Sequence, residues 1–451
     1  MTPTLPPGPR QPKLIQTLAW WNRTVPFLER GRARYGKRFT IRLLGAPPFV
    51  LHSDPEHIKE IFTAPPEVLH PGEGAKILEP IVGTHSVILL DESRHMQQRK
   101  MMLPAFHGEK IAKLEGLVRE VAERQVESWP RGETVVLHPR LQELTLEIIL
   151  RAVFGLDEGE RLDALRSNLT RMLEFGSSPM SMTPPDLGER LERLNFGPVA
   201  RFSRWRDETD EIIFALIEER RREEASDRDD VLSLLLGARH EDGNPMSSEE
   251  LRDELMTLLV AGHETTASEL AWALERLPRN PDVMNRLRDE IRGDDGDDYL
   301  TATIRETLRR RPVLPFAAPR FVEQEVEIGG WTYQPGVCVV AASYLVQHDP
   351  DIYPDPYAFR PERFLDETPG TYTWIPFGGG RRRCLGASFA MLEMKVVLEA
   401  LLRNSTLSVG ADGPELTQRR SITVSPRGRT RVVLSDIVPA AAEPETVSAA
   451  A

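Results

Sequence analysis

The sequence predicts a mainly α-helical protein with small β-sheets, an α+β fold, and three observations support that class. Apolar residues recur at helical spacing, with charges between them, in segments such as 108–129, 141–154 and 209–222. Short strand-like runs cluster in two places, 39–51 and 326–333. Of the 451 residues, 40% are hydrophobic and 28% are charged, which is the composition of a folded globular chain.

The individual elements follow from their residues. Residues 39–44 and 48–51 are predicted to be two strands joined by a turn that contains Gly and Pro. Residues 326–333 are predicted to form a hairpin, with Gly329 and Gly330 as its two-residue turn. The stretch 175–198 is rich in Gly, Ser, Met and Pro, which favours an adaptable loop between helices.

One domain is expected over residues 13–438, after a proline-rich lead (1–12) and before a frayed tail (439–451) without large apolar residues. No apolar run approaches the roughly 20 residues that a membrane span needs, so none is predicted. The lead lacks the apolar centre of a secretory signal. Only two cysteines, Cys338 and Cys384, are present, which excludes a disulfide framework and favours a reducing, cytoplasmic location.

The charge balance excludes one broad class of function. The chain has 57 Lys and Arg against 69 Asp and Glu, a net charge of −12. That sign argues against a protein built mainly to hold nucleic acid, because such proteins carry excess positive charge.

The most informative segment is a loop rich in glycine and arginine, Trp374-Ile-Pro-Phe-Gly-Gly-Gly-Arg-Arg-Arg-Cys-Leu-Gly386. Its three glycines permit tight turns and the close approach of a flat partner. Cys384 is predicted to begin an apolar-periodic helix, whose dipole and free N–H groups would lower the pKa of the thiol. Two other interpretations exist. A lone cysteine is often a small buried hydrophobe, and a glycine loop can bind phosphate, although the Gly-Lys-Ser/Thr ending of a P-loop is missing.

Taken together, the residues of this loop resemble the haem-binding loop of the cytochrome P450 family. Its ten-residue pattern, Phe-x-x-Gly-x-Arg-x-Cys-x-Gly, is matched by Phe377, Gly380, Arg382, Cys384 and Gly386. The resemblance implies the P450 fold, with haem b (iron protoporphyrin IX) between a long central helix and the helix after the cysteine. Cys384 would supply the axial thiolate ligand. The loop residues implied to contact haem are Phe377, Gly378, Arg382 and Gly386. Cys338 lies in a strand-like run and is predicted to be core.

Two further motifs fit that family. Glu306 and Arg309, at spacing i, i+3, match its Glu-x-x-Arg pair, and Arg363 matches the arginine of its Pro-Glu-Arg-Phe segment. The resemblance implies that these three form a buried structural network; the alternative is an exposed ion pair that contributes about 0–1 kcal/mol. His95 and Arg99, at spacing i, i+4, would donate to the haem propionates, together with Arg382 and Arg320.

The segment Ala261-Gly-His-Glu-Thr-Thr266 lies in a predicted long helix that begins near Ser247 and ends before Pro278. One interpretation of this segment is structural: the small residues would let another helix pack closely, and the glutamate would point into solvent. The resemblance implies instead that Ala261 and Gly262 border the haem and that Gly262 and Thr265 widen the helix locally. The catalytic residues would then be Glu264 and Thr265, which pass protons to dioxygen.

The implied reaction is monooxygenation: hydroxylation or epoxidation of a hydrophobic small molecule such as a fatty acid, terpenoid, steroid or aromatic. Electrons would come from a ferredoxin or flavodoxin with its reductase, steered by positive charge at Arg94, Arg99, Lys100, Lys113 and Arg381 to Arg383. A monomer is expected. The predicted apolar pocket comprises Ile77, Leu78, Ile81, Val82, Met180, Met182, Val313, Leu314 and Phe316.

The sequence leaves three alternative functions open. The first is a peroxide-dependent P450, or one that isomerises its substrate without a redox partner. The second is a haem-binding sensor or carrier without turnover. The third is a haem-free protein that binds phosphate with the glycine loop.

Overall fold

The structure is a computed structural model that describes residues 5–106, 108–156, 159–176, 191–192, 197–223, 228–293, 296–365 and 367–436. The predicted class is confirmed: helices dominate and the sheets are small. The helices are α1 Lys13–Asn22, α2 Thr24–Tyr35, α3 Pro55–Thr63, α4 Pro71–Gly74, α5 Glu79–Val82, α6 Glu92–Met102, α7 Glu109–Glu127, α8 Leu137–Phe154, α9 Glu160–Gly176, α10 Gly197–Arg222, α11 Val231–Gly237, α12 Ser248–Arg276, α13 Pro281–Gly293, α14 Asp298–Arg310, α15 Ser343–Gln347 and α16 Ala387–Asn404.

The strands are β1 Arg38–Ile41, β2 Phe49–His52, β3 Leu69–His70, β4 Thr134–Val136, β5 Arg320–Val322, β6 Val326–Ile328, β7 Trp331–Tyr333, β8 Cys338–Ala341, β9 Ser405–Val409, β10 Thr417–Arg420, β11 Thr423–Pro426 and β12 Arg431–Asp436. The largest sheet has the order β1-β2-β8-β5-β3. Within it β2 and β8 run parallel, and Phe49 lies opposite Cys338. The predicted strand pair β1–β2 and the β6–β7 hairpin are confirmed. Cys338 is buried in this sheet, as predicted.

The long helix α12 is the centre of the helical core. It begins with the predicted capping box, in which the Ser247 hydroxyl accepts from the Glu250 N–H and the Glu250 carboxylate accepts from the Ser247 N–H. It packs against α8, α10, α14 and α16, and buried Leu and Ile side chains fill the interfaces. Because α12 crosses this core, most of its side chains are buried.

Some boundaries differ from the sequence-based expectation. Helix α10 begins at Gly197, well before the predicted 209, because the residues before 209 also place apolar side chains toward the core. Most of the predicted loop 175–198 lies outside the described residues. The described part of the proline-rich lead packs on β1, where Thr40 donates to the carbonyl groups of Pro6 and Pro7. No described helix is long and apolar enough to cross a bilayer.

Candidate active site

The cysteine loop is held in shape by its glycines. Gly378 and Gly380 adopt φ angles of +65° and +62°, which L side chains rarely tolerate. A Cβ atom on Gly380 would lie 2.3 Å from the carbonyl oxygen of Phe62, so only glycine fits against α3. The loop closes where the Cys384 N–H donates to the carbonyl of Phe377 at 3.0 Å. The sequence therefore places a thiol at a fixed point of a tight, preformed turn.

Cys384 does not begin the following helix, and that expectation is wrong by three residues. Helix α16 starts at Ala387, with Gly386 as its N-cap. The expected lowering of the thiol pKa is also wrong in this structure. Burial raises the pKa of Cys384 more than the Gly386 N–H and the charges of Arg99 and Arg383 lower it. Although protein atoms surround the thiol closely enough to raise its pKa, Cys384 as a residue keeps accessible surface, so a partner can approach it.

Four cationic or titratable side chains interact electrostatically with one another, and Arg99 among them also interacts with the thiol. We call them the cation cluster: His95 and Arg99 from α6, Arg320 from β5 and Arg382 from the cysteine loop. Burial, and then repulsion from the three arginines, lower the pKa of His95 to about 3. Burial and the charge of Arg382 lower the pKa of Arg320 to about 9. Burial likewise lowers the pKa of Arg382 to about 10 and also lowers that of Arg99. The cluster is therefore a desolvated concentration of positive charge.

The cluster has little negative charge to balance it. Arg382 Nη2 lies 2.6 Å from Asp91 Oδ1 and also donates to the carbonyl of Leu90. Arg320 donates to the carbonyl of Ile61 at 2.6 Å, which leaves its charge unpaired. Within the described part of the chain, the side chains of His95 and Arg99 have no hydrogen-bond partner. Such an arrangement suits an anionic group with two or more carboxylates, because arginine binds carboxylates through paired N–H groups.

The middle of α12 combines close packing with an accessible surface. A Cβ atom on Gly262 would lie 3.0 Å from Ile149 Cδ1 of α8, so this glycine does form a packing notch. Ala261 is exposed, and Gly262 and Thr265 are partly exposed, although their neighbours in the helix are buried. Thr265 Oγ1 donates to the Ala261 carbonyl at 2.6 Å. A small-residue surface with one hydroxyl is thus accessible in the middle of an otherwise buried helix.

Glu264 is buried rather than solvated, which overturns the structural interpretation of this acid. Gln142 Nε2 donates to its Oε2 at 2.6 Å, and Ser268 Oγ donates to its Oε1 at 3.3 Å. Arg420 Nε lies 3.2 Å from the same Oε1. Burial raises the pKa of Glu264, although Arg420 opposes the shift. The structure does not join Glu264 to Thr265 by a hydrogen bond, so adjacency in sequence does not make them direct partners.

The structure does bring Glu306, Arg309 and Arg363 together, and we call these residues the anchor network. Glu306 and Arg309 are both 0% exposed and form a bidentate pair at 2.7 and 2.8 Å. Arg363 Nε lies 3.7 Å from Glu306 Oε1. The pair is therefore not the exposed ion pair of the alternative interpretation.

A buried glutamine, which the sequence analysis missed, connects the anchor network to the cysteine loop. Arg309 Nη1 donates to the carbonyl of Gln347 at 2.8 Å. The side chain of Gln347 donates to the carbonyl of Arg309 and accepts from the N–H of Ile375, each at 3.0 Å. No sequence pattern marks Gln347, because its role depends on contacts between segments about 30 to 40 positions apart.

Two further buried acids were missed. Glu269 accepts from the N–H of Val313 at 2.9 Å, while its second oxygen has no partner. Neither carboxylate oxygen of Glu393, on α16, has a well-formed hydrogen bond among the described residues, although the Thr266 side chain interacts with this carboxyl and opposes the rise of its pKa. Burial raises the pKa of each to about 8. An acid within an otherwise apolar helical run was the available signal for both.

The residues predicted to line an apolar pocket fall into different environments. Val82 and Val313 are buried, Leu78, Ile81 and Leu314 are partly buried, and Ile77 is strongly exposed. Phe316 packs against Trp20, with ring centroids 5.1 Å apart, so its contacts belong to the core beside the large sheet. Met180 and Met182 lie outside the described residues.

These residues fit the prosthetic group that the loop motif implies. A haem needs a ligand for its iron and charged donors for its two propionates; Cys384 would supply the first and the cation cluster the second. The unbalanced positive charge of the cluster is the decisive feature, because buried cations without counter-ions are costly.

Comparisons with known proteins agree with this assignment. The family model described as "Cytochrome P450" matches residues 6–433. The Mycobacterium tuberculosis protein named "Putative cytochrome P450 135B1" is 39% identical over 435 residues, 95% of this chain and 91% of that protein. "Putative cytochrome P450 138" of the same species is 38% identical over 95% of this chain and 96% of its own length.

Two solved structures share the fold. The retinoic acid-bound cyanobacterial CYP120A1 has a TM-score of 0.83 at 24% identity and covers 97% of this chain and 100% of its own. The haem domain of cytochrome P450DA has a TM-score of 0.82 at 23% identity and covers 96% of this chain and 98% of its own. The motifs, the geometry around Cys384 and the match along nearly the whole sequence lead to one conclusion: the chain belongs to the cytochrome P450 family.

Proposed function

We propose that this protein is a haem-thiolate monooxygenase that hydroxylates or epoxidises a hydrophobic small molecule. The observation that carries the proposal is the cation cluster, in which Arg99 interacts with the thiol of Cys384. Membership of the P450 family supports an oxygenase with a cysteine-ligated haem in general. We also propose a substrate class, a haem type and an electron donor.

We propose haem b as the prosthetic group, because the cysteines of this chain do not suit covalent attachment. Covalent attachment of a c-type haem uses a pair of cysteines in a C-x-x-C-H motif. The sequence has only Cys338 and Cys384, far apart, and Cys338 is buried in β8. With Cys384 as the iron ligand, no cysteine is left for a thioether bond. The propionates would be held by His95, Arg99, Arg320 and Arg382.

Bound haem would supply the activation of dioxygen, helped by electron donation from the thiolate. The chain's own residues supply protons and exclude water. The Thr265 hydroxyl, which donates to Ala261 in this structure, can turn to hold a proton at the accessible surface of α12. Glu264 has a pKa raised by burial, so it can carry a proton nearer to neutral pH than a solvated glutamate.

An apolar substrate is favoured by the side chains on the two segments that the family uses for its channel. Leu78, Ile81, Val82, Val313 and Leu314 are aliphatic and at least partly buried. They offer contact area without fixed polar partners, which suits fatty acids, terpenoids, steroids or aromatics rather than sugars or nucleotides.

We propose that electrons arrive from a ferredoxin or flavodoxin with its own reductase. Arg381 and Arg383, on the loop that carries Cys384, are exposed. Positive charge at this point would steer an acidic carrier toward the haem. The rate of haem reduction by an acidic ferredoxin should therefore fall as salt rises and screens the charges, and stopped-flow absorbance would measure it. A rate that is independent of salt would contradict electrostatic docking.

A panel of lipids, terpenes and steroids tests the substrate class. Binding should displace the water ligand of the haem iron and shift the Soret band, and a surrogate ferredoxin system should convert the binders to oxygenated products. Products that form with peroxide but never with dioxygen and a reductant would favour the peroxide-dependent alternative. Binding without any product would favour a sensor.

A further inference from the structure

Helix α1 has an inverted distribution of polar and apolar side chains. Its buried residues include Gln16 and Thr17, which are polar. Its outward face carries Leu14, Ile15 and Leu18, which are 54%, 52% and 53% exposed. A surface helix of a globular protein normally turns its apolar stripe inward, so this arrangement leaves the hydrophobic face unpartnered.

Hydrogen bonds from the inner face fix this orientation. Gln16 Nε2 donates to the carbonyl of Gln11 at 2.7 Å, and Gln16 Oε1 accepts from the N–H of Arg42 at 2.9 Å. Thr17 Oγ1 accepts from the N–H of Leu44, also at 2.9 Å. The bonds from Arg42 and Leu44 join α1 to the connection between β1 and β2, and the bond to Gln11 joins it to the proline-rich lead. The helix therefore cannot rotate about its axis to bury Leu14 and Leu18 without losing several hydrogen bonds.

The same connection extends the apolar surface. Leu44, whose N–H is bound by Thr17, is 49% exposed. Leu14, Ile15, Leu18 and Leu44 form what we call the outer patch. Single exposed aliphatic residues are ordinary, but four that are each about half exposed on two joined elements make this surface a candidate for an interaction.

The segment that carries the outer patch has a net positive charge, unlike the whole protein. Residues 1–52 contain nine Lys and Arg and a single acid, Glu29, whereas the full chain has a net charge of −12. Two of these cations, Arg32 and Lys37, pair with Asp349 from elsewhere in the chain. Arg10, Lys13 and Arg23 flank α1 and are exposed. None of these three pairs with an acid among the described residues. Glu29 accepts instead from the hydroxyl of Tyr344.

We propose that the outer patch docks on the surface of an anionic lipid bilayer, with α1 lying in the plane of the interface. An apolar helical face bordered by unpaired cations is the combination that such surfaces bind. A second copy of this chain fits less well, because a symmetric contact would bring the same positive charges together. The proposal concerns attachment to a surface and not a membrane span.

If the protein is a monooxygenase of apolar substrates, as proposed above, docking at this position would also help it to reach them. Trp20 of α1 contacts Phe316, which precedes β5 on the segment after α14. Arg419 of β10 lies over the rings of Trp20 and Trp21, at 5.2 and 5.3 Å. The outer patch would bring this side of the protein to a bilayer, where apolar substrates accumulate.

Co-sedimentation of the purified haem-loaded protein with vesicles tests the proposal. Vesicles of phosphatidylcholine with an equal part of phosphatidylglycerol should bind it, and phosphatidylcholine alone should bind it about tenfold more weakly. The variant Leu14→Ser/Ile15→Ser/Leu18→Ser should lose about tenfold or more of the binding. Salt at about 0.5 M should weaken it as well.

Two controls separate docking from misfolding. Leu365→Ser/Val409→Ser removes exposed aliphatic side chains elsewhere and should bind like the parent. Arg10→Glu/Lys13→Glu changes exposed charges only and should weaken binding to the anionic vesicles with an unchanged melting temperature. No binding to either vesicle, or parental binding by the triple variant, would overturn the proposal. A dimer that the triple variant dissociates would overturn it in favour of a second copy. Because the readout is sedimentation, the test is independent of any monooxygenase activity.

Discussion

Two buried acidic regions of this protein differ in how their charges are balanced. In the anchor network, Glu306 faces Arg309 through two hydrogen bonds and also accepts from the N–H of Arg360 at 2.9 Å. In and beside the middle of α12, Glu269 and Glu393 are equally buried but have oxygens without a well-formed hydrogen bond among the described residues. Because its charges are fully paired, the first region has a structural role. Incomplete pairing makes the second a place where protons can be held.

The positions of the two regions match this difference. Arg309 binds the carbonyl groups of Gln347, Pro356 and Ala358, so the anchor network ties several segments to α14 and, through Gln347, to the cysteine loop. Glu264 and Glu269 lie on α12, whose accessible surface carries Thr265. The first region is bonded to the cysteine loop at Ile375, and we infer that it positions the thiol and that the second region serves proton transfer.

Breaking the anchor network should have the largest effect. Glu306→Gln leaves Arg309 as an unbalanced buried charge and should reduce the free energy of unfolding by about 3–5 kcal/mol. Denaturant unfolding with a circular dichroism readout measures it. The same substitution at Glu56, which forms an exposed i, i+3 pair with Lys59 at 3.6 Å, is the matched control and should cost less than about 1 kcal/mol. If both variants lost the same free energy of unfolding, Glu306 would be no more important to stability than an exposed ion-pairing residue.

The next test changes the accessible surface of α12. Thr265→Ala should leave stability nearly unchanged but divert reducing equivalents from product to hydrogen peroxide, because the hydroxyl that holds the proton is gone. Product and peroxide per reductant consumed are the measurements. Thr307→Ala is the control, since its hydroxyl also donates to a carbonyl four residues back, at 2.9 Å, in a helix of the anchor network. Unchanged coupling in Thr265→Ala would contradict the proton role.

The smallest effect concerns stability against pH at Glu393. Its pKa in the folded protein is raised to about 8, above the unfolded value, so its contribution to stability is complete at low pH and is lost as pH rises through about 8. Glu393→Gln removes this pH-dependent loss of stability, because glutamine does not ionise. The variant should therefore gain roughly 1–3 kcal/mol over the parent between pH 5 and pH 8.

Thermal melts across that pH range check this prediction. Glu399→Gln is the control on the same helix, because Glu399 pairs with Arg119 at 3.2 Å and is only partly buried. Its difference from the parent should stay nearly constant over the range. A Glu393→Gln difference that is also constant would show that this carboxyl does not hold a raised pKa.

The sequence predicted what depends on local pattern. The capping box of α12, the glycine turn of the β6–β7 hairpin and the spacing of Glu306 and Arg309 all involve residues within a few positions of each other. The cysteine loop was recognisable for the same reason. Long-range partners were not predictable. Arg420 meets Glu264 across more than 150 positions, and Phe316 packs on Trp20 instead of facing the predicted channel.

The pKa of Cys384 shows a second limit of local reasoning. A helix start predicts a lowered value, but the surrounding protein determines how much solvent the thiol loses, and burial is the larger effect here. The buried acids Glu269 and Glu393 escaped notice because burial of a single side chain depends on the packing of several helices.

The most direct test of the account is the absorption spectrum of the reduced protein with carbon monoxide. If Cys384 ligates haem iron as a thiolate, the Soret band should show the large red shift that a thiolate opposite carbon monoxide produces. Cys384→Ser should abolish that shift, while Cys338→Ser should leave it in place. A parent protein without the red-shifted band, or a Cys384→Ser variant that keeps it, would contradict the central claim.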